Sequence, residues 1–131
     1  MMAGVPRHRH EQQRLRRRRA WRSGHWAEAV AAMLLRLKGY RILARRFRAP
    51  VGEIDIVARR GEVLAMVEVK SRATLEEALL ALPPRQRRRI ERAAQAFLAR
   101  DARLAGLTVR FDVMLIVPWR RPKHIMHAWH G

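Results

Sequence analysis

An α/β fold, a central mixed β-sheet with helices on its faces, is the architecture that this chain of 131 residues predicts. Three observations carry the prediction. Two neighbouring extended runs, residues 53–58 and 63–70, flank the glycine-bearing connection Arg59-Arg60-Gly61-Glu62, which reads as a hairpin. A third run, "LTVRFDVMLIV" at 107–117, is the strongest β-like stretch in the chain. Between them Ile90, Ala93, Ala94, Phe97 and Leu98 recur at i, i+3, i+4, i+7 and i+8, the spacing of a helix laid on a core.

Taken in chain order, residues 1–22 show no apolar periodicity and hold eight Arg against one Glu; they are expected to form a disordered Arg-rich arm, leaving 23–131 as one domain. Residues 25–38 are rich in helix formers, with Ser23 placed to cap their start and Gly39 to stop them. Residues 40–48 read as a basic strand near a sheet edge, and Pro50-Val51-Gly52 turns the chain into the hairpin. Residues 71–82 read as a loop with a short helical turn. Pro84 suits the first turn of the second helix, whose outer face carries Arg88 and Arg92. The closing "KHIMHAWHG" adds a short last strand, so the order is α-β-β-β-α-β(-β).

Composition narrows the partners. The arm accounts for +7 of a net charge of +18, leaving +11 on the rest, so the folded part is basic in its own right. A polyanion fits that charge, nucleic acid ahead of an anionic membrane surface. The absence of Cys excludes a disulfide framework and a thiolate metal site. No apolar run approaches the ~18 residues of a membrane span, and no apolar segment follows the basic N-terminus as in a secretory signal. A cytoplasmic location is the expectation.

Against this basic background, Glu53, Asp55, Glu68 and Lys70 interrupt the two hairpin strands, where such residues are depleted. Strict alternation puts Glu53, Asp55 and Val57 on one face of their strand, and Leu64, Met66, Glu68 and Lys70 on one face of the next. A loop of two or four residues around Arg60-Gly61 would pair Asp55 with Met66 and Glu53 with Glu68, with all four charged groups on the same face. Two carboxylates at ~4 Å repel by about 4 kcal/mol at an effective dielectric of ~20. Protonation, an intervening Lys or Arg, or a divalent cation offsets that cost. Carboxylate oxygens on a rigid strand pair are the hard ligands that Mg²⁺ prefers, and Lys70 lies where it can hold or polarise a water. Metal plus Lys beside a basic surface is equipment for phosphodiester hydrolysis.

The same residues spell "GEID", twelve residues, then "EVK", a pattern that resembles the active site of the PD-(D/E)xK, restriction-endonuclease-like nucleases. More narrowly, "WAEAVAAMLLRLKGYRILARRFR", "GEIDIVARRGEVLAMVEVKSR", "RFDVMLIV" and "HIMHAW" resemble the bacterial YraN family, related to archaeal Holliday junction resolvases, over about residues 24–130. The resemblance implies a Mg²⁺- or Mn²⁺-dependent DNA endonuclease acting on duplex or branched DNA of repair or recombination. It implies Asp55 and Glu68 as metal ligands, Lys70 serving the nucleophile, and Glu28 of the first helix as an additional ligand or water-mediated contact. Arg72, Arg85, Gln86, Arg88 and Arg92 are the expected nucleic-acid contacts, no membrane partner is expected, and a homodimer is left open. Arg85 stands where the family commonly has Lys, and the 73–82 segment lacks the usual Phe-Gly.

Plainer roles compete. Asp55, Glu68 and Lys70 could form an ion network, and a non-catalytic nucleic-acid-binding protein that kept the fold is the alternative function; an RNA-binding or ribosome-associated factor is the more remote one. Glu28 could be an ordinary helix-start carboxylate, Glu53 a solvent-facing one, and Gln86 a cap. Asp112 is expected to pair with a basic neighbour. His124, His127 and His130 have a spacing that converges on neither a helix nor a strand, so zinc is not expected there. Of the Trp residues, 21, 26, 119 and 129, which could stack on bases, Trp26 is expected in the core.

Overall fold

The computed structural model describes residues 25–131. The expected Arg-rich arm and the Ser23 cap lie outside them. Helix α1 occupies 25–37 and ends where Gly39 takes φ +91°. The strands are β1 (Arg41–Ala49), β2 (Gly52–Arg60), β3 (Val63–Lys70), β4 (Thr108–Leu115) and β5 (Lys123–Trp129), with α2 (Leu75–Leu80), α3 (Pro84–Ala99) and a 3₁₀ turn (Ala102–Leu104) between β3 and β4. They form one five-stranded sheet in sequence order. Its β3–β4 pair is parallel and the other three are antiparallel. The expected mixed α/β sheet is therefore present, with β1 on an edge and the last strand formed in full. No helix among the described residues is long and apolar enough to cross a membrane.

Helices cover both faces. Ala27, Ala31, Ala32 and Leu35 of α1 pack on Ile56, Ala58, Ala65 and Val67. Ile90, Ala93 and Ala94 of α3 pack on Phe47, Val57, Leu64 and Met66. The stripe that α1 buries runs through Ala27, and Trp26 sits about 100° away around the helix. Trp26 is consequently 47% exposed, which corrects its expected place in the core. Gly52 is the contact point of α3 with the hairpin: a Cβ there would come within 2.3 Å of the Arg89 carbonyl oxygen. The helix α2 starts at Thr74, whose hydroxyl accepts from the Glu77 N–H at 3.2 Å.

The hairpin register differs from the one expected. Arg60 pairs with Val63 and Ile56 with Val67, so the turn is Gly61-Glu62 and not Arg60-Gly61. Gly61 has φ +60°, which suits the first central position of a type II′ turn. The register is thereby displaced by two residues, which places Asp55 level with Glu68 instead of Met66.

Alternation also slips, in two strands at the same level. Ile54 and Val57 both lie in the α3-side core, with Asp55 and Ile56 between them; Ala44 and Phe47 do the same, with Arg45 and Arg46 between them. Arg46 adopts φ +53°, a left-handed conformation uncommon outside glycine. Arg46 and Asp55 face each other in the β1–β2 register without forming a ladder pair. The expectation that Glu53, Asp55 and Val57 share one face is thus corrected: Val57 faces α3, while Asp55 turns toward α1.

Candidate functional site

The β2–β3 ladder stops at Ile56–Val67, although both strands continue. Where the strands part, side chains replace the ladder. The Asp55 carboxylate accepts from the Val69 N–H at 2.9 Å, and Glu68 Oε1 accepts from the Asp55 N–H at 3.5 Å. The two acids therefore meet in the gap between diverging strands, not side by side on one face. Main-chain donors fix them, as a pre-organised site requires.

Burial dominates their electrostatics. Glu68 is 4% exposed; desolvation, then the neighbouring Asp55 charge, pushes its carboxyl well above the usual range. Asp55 is also raised, again by desolvation first, with the Val69 N–H opposing and the Glu28 charge adding a little. Lys70 acts on both carboxylates through its positive charge, which lowers each of them. Its backbone is held in the parallel ladder, the Lys70 carbonyl accepting from the Ile116 N–H at 3.0 Å.

Glu28 comes to the same place from α1. A pocket of about 300 Å³ is lined by His25, Glu28, Arg46, Arg48, Glu53 and Asp55. Within it the Glu28 carboxylate is held by Arg45 Nε at 3.3 Å and Arg46 Nε at 3.0 Å. The slipped alternation of β1 lets two consecutive Arg side chains reach one acid. Glu53 is more open and lies 3.7 Å from Arg48. Among the described residues no group of three or more His, Asp or Glu side chains stands in a metal-holding arrangement. The donor set is the Asp55–Glu68 pair. It fits Mg²⁺, which binds through one or two carboxylates and completes its shell with water and phosphate.

Gln86 lines an adjoining depression of about 230 Å³ with Arg48, Gly52, Glu53 and Arg89. Arg72, Arg85, Arg88 and Arg92 are exposed, and none lines the carboxylate pocket. Sequence reasoning missed Arg45, Arg46, Arg48 and Arg89. The "RRFR" run pointed to basic surface, but only the slip at Arg45-Arg46 aims two of its members at Glu28.

A second charged group lies on β4 and β5. Asp112 is fully buried and takes a two-point contact from Arg110, with both distances 2.8 Å. His124 Nε2 lies 2.8 Å from the same carboxylate, while its Nδ1 lies 2.7 Å from Lys38 Nζ. A lysine ammonium only donates, so Nδ1 accepts and Nε2–H is the donor to Asp112. Arg110 also donates to the Tyr40 hydroxyl. The basic partner expected for Asp112 is present. Trp129 is buried and Trp119 fully exposed, while Trp21 lies outside the described residues.

A protein-family model described as "Uncharacterised protein family UPF0102" matches residues 27–116, which contain Glu28, Asp55, Glu68 and Lys70. A UPF0102 protein of Paramagnetospirillum magneticum is 57% identical over 114 residues, 84% of this chain and 88% of that one. One of Parvibaculum lavamentivorans is 56% identical over 110 residues, 84% of this chain and 83% of its own length. One of Mesorhizobium japonicum is 50% identical over 115 residues, covering 88% and 92%. With its GEID and EVK segments inside the matched span and half or more of the aligned residues identical in relatives of similar length, the chain belongs to the UPF0102 (YraN) family.

Proposed function

We propose that this protein is a metal-dependent DNA endonuclease of the restriction-endonuclease-like kind, hydrolysing phosphodiester bonds in duplex or branched DNA. The observation that carries the reading is the Asp55–Glu68 pair, Glu68 buried and Asp55 half-buried, held by main-chain donors where β2 and β3 part, with the charge of Lys70 acting on both. An apolar pair would fill that gap at no electrostatic cost. Two opposed acids there answer to a cation.

Asp55 and Glu68 would hold Mg²⁺ or Mn²⁺, and such an ion supplies charge to a phosphate oxygen and acidifies a bound water. Lys70 would orient the attacking water or the scissile phosphate through its ammonium group. Arg46, Arg48 and Arg89 line the pocket and the adjoining depression, where guanidinium forks suit backbone phosphates. Gln86, at the start of α3, would help set the strand's position there. Exposed Arg72, Arg85, Arg88 and Arg92 would extend the contact electrostatically.

A second reading has its own observation: Glu28 is engaged by two Arg side chains, leaving a two-acid donor set. That favours a protein that binds nucleic acid and cleaves little. Incubating labelled linear, single-stranded, flapped and four-way DNA with Mg²⁺, Mn²⁺ or EDTA decides between them. Cleavage that needs the divalent ion and is absent in Glu68→Gln supports the nuclease. Tight binding without cleavage of any substrate supports the second reading.

A further inference from the structure

The end of the sheet remote from Asp55 holds a second concentration of positive charge. A cleft of about 630 Å³ opens between the β1–β2 edge and the C-terminal end of α3. Buried Leu104 and half-buried Leu43 and Phe97 give it an apolar floor, while Arg41, Arg59, Arg100 and Arg103 bring guanidinium groups to its walls.

Three of the four guanidinium charges in this cleft have no acid partner among the described residues. Arg41 and Arg59 are direct cross-strand partners, an arrangement in which like charges destabilise an antiparallel pair. Among the described residues lining the cleft the acid is Asp101, and Arg103 occupies both of its oxygens at 3.0 Å. No ion pair to Arg41, Arg59 or Arg100 forms among the described residues. Arg59 uses Nε on the Gly61 carbonyl at 3.0 Å, and Arg100 lies 5.4 Å over the Phe47 ring. Both contacts fix the guanidinium planes while leaving N–H groups to donate.

The backbone contributes as well. The register of β1 shifts between Ile42 and Ala44, so that Leu43 and Ala44 both join the α3-side core while Ile42 joins the other. Such a bulge re-aims side chains and often borders a binding site. Here it brings Leu43 to the floor and sets small Ala44 beside it, which leaves the volume open. Arg59 lies four residues along β2 from Asp55, roughly 13 Å at 3.3 Å per residue. It alternates with Val57 toward α3, whereas Asp55 turns toward α1. The cleft and the carboxylate pocket therefore occupy different faces of the sheet.

We propose that this cleft binds a nucleotide, its phosphate held by Arg41, Arg59 and Arg100 and its base set against Leu43, Phe97 and Leu104. A phosphate would offset the Arg41–Arg59 repulsion and match the guanidinium forks. The aromatic and aliphatic floor gives the base a surface to lie on, and the volume falls in the range of small-molecule sites. The same chemistry is offered by a free nucleotide and by an unpaired nucleotide of a strand. Nothing in it depends on hydrolysis at Asp55 and Glu68.

Calorimetric titration in EDTA, with AMP, pyrophosphate, adenosine and a 5′-phosphorylated oligothymidine as probes, tests it. The full chain should bind AMP more tightly than pyrophosphate or adenosine. The Arg41→Ala/Arg59→Ala double variant should weaken AMP about tenfold or more, as the removal of charge-assisted hydrogen bonds implies, and should melt no lower than the parent. Arg100→Gln, at an exposed helix end, should weaken AMP too and carries the test if the double variant misfolds. An oligothymidine that binds more tightly than AMP and is weakened by the same two variants assigns the site to a strand, and a tighter AMP assigns it to a free nucleotide. Pyrophosphate binding as well as AMP, or AMP affinity unchanged in both variants, overturns the proposal. Asp55→Asn should keep AMP affinity, so loss of cleavage and loss of this site are read separately.

Discussion

Replacing Asp55 with Asn tests why two acids are held together. In the parent, two carboxylates held where the β2–β3 ladder ends oppose each other, and desolvation raises both. Asn keeps the shape: its carbonyl oxygen can still accept from Val69 N–H, and its amide can donate to Glu68. The full repulsion is about 4 kcal/mol at 4 Å and an effective dielectric of 20. Because the Lys70 charge offsets part of it, the expected gain in metal-free stability is about 1–2 kcal/mol. That corresponds to roughly 4–8 °C in Tm for a domain of this size. The pH dependence has a definite sign. A carboxyl raised in the folded state contributes stability below its unfolded pKa and loses it as pH rises through the folded value. The parent should therefore weaken as pH rises above about 4.5, the ordinary range of Glu, and Asp55→Asn should flatten that decline. Thermal unfolding in EDTA across pH 4–8 measures both. A loss of about 3–5 kcal/mol, the cost of breaking a buried ion pair, would refute mutual repulsion and make Asp55 a structural partner of Lys70.

Three further outcomes follow from the same geometry. Lys70→Met should abolish cleavage with little change in Tm; a large destabilisation with activity kept per folded molecule would make Lys70 structural. Asp112→Asn breaks the ion pair from Arg110 and weakens the hydrogen bond from His124, and should cost about 3–5 kcal/mol, seen in denaturant unfolding. Burial pushes the Asp112 carboxyl up, but hydrogen bonds from His124 and Arg110 outweigh it and hold it below its usual value. Its contribution is present above the unfolded pKa of about 3.9 and lost as pH falls through the folded one, so this variant should also flatten the acid limb. Deleting residues 1–22 should reduce the slope of log affinity against log salt, by about 0.9 for each phosphate that the arm neutralises; an unchanged slope would exclude the arm from binding.

The strands were legible because each had a distinct local signature. The Gly61 hairpin, the apolar run of β4 and the period of α3 all appear where expected. The register was not legible, because Arg60-Gly61 and Gly61-Glu62 are both acceptable turns; the pairing of Arg60 with Val63 shows that the second forms. The displacement brought Asp55, and not Glu53, level with Glu68, so the strands that carry the acids were legible and the pair they form was not. The slip at Arg45-Arg46 and Asp55-Ile56 had no sequence signal, since it arises from two strands yielding together. Thr74-Leu75-Glu76-Glu77 did carry the Thr-x-x-Glu signature of a helix start, which would have placed α2 outright. The Tyr40–Arg110–Asp112–His124 group spans 84 positions from Tyr40 to His124, and only the sheet brings it together.

Direct titration of the full chain with Mn²⁺ in a calorimeter, nucleic acid absent, addresses the purpose of the carboxylate pair. A metal-holding pair predicts saturable binding to the parent, a Tm that rises with ion concentration because the ion binds the folded state, and loss of both in Asp55→Asn and in Glu68→Gln. Binding that survives both substitutions, or a parent that takes up no ion at millimolar concentration, would contradict it.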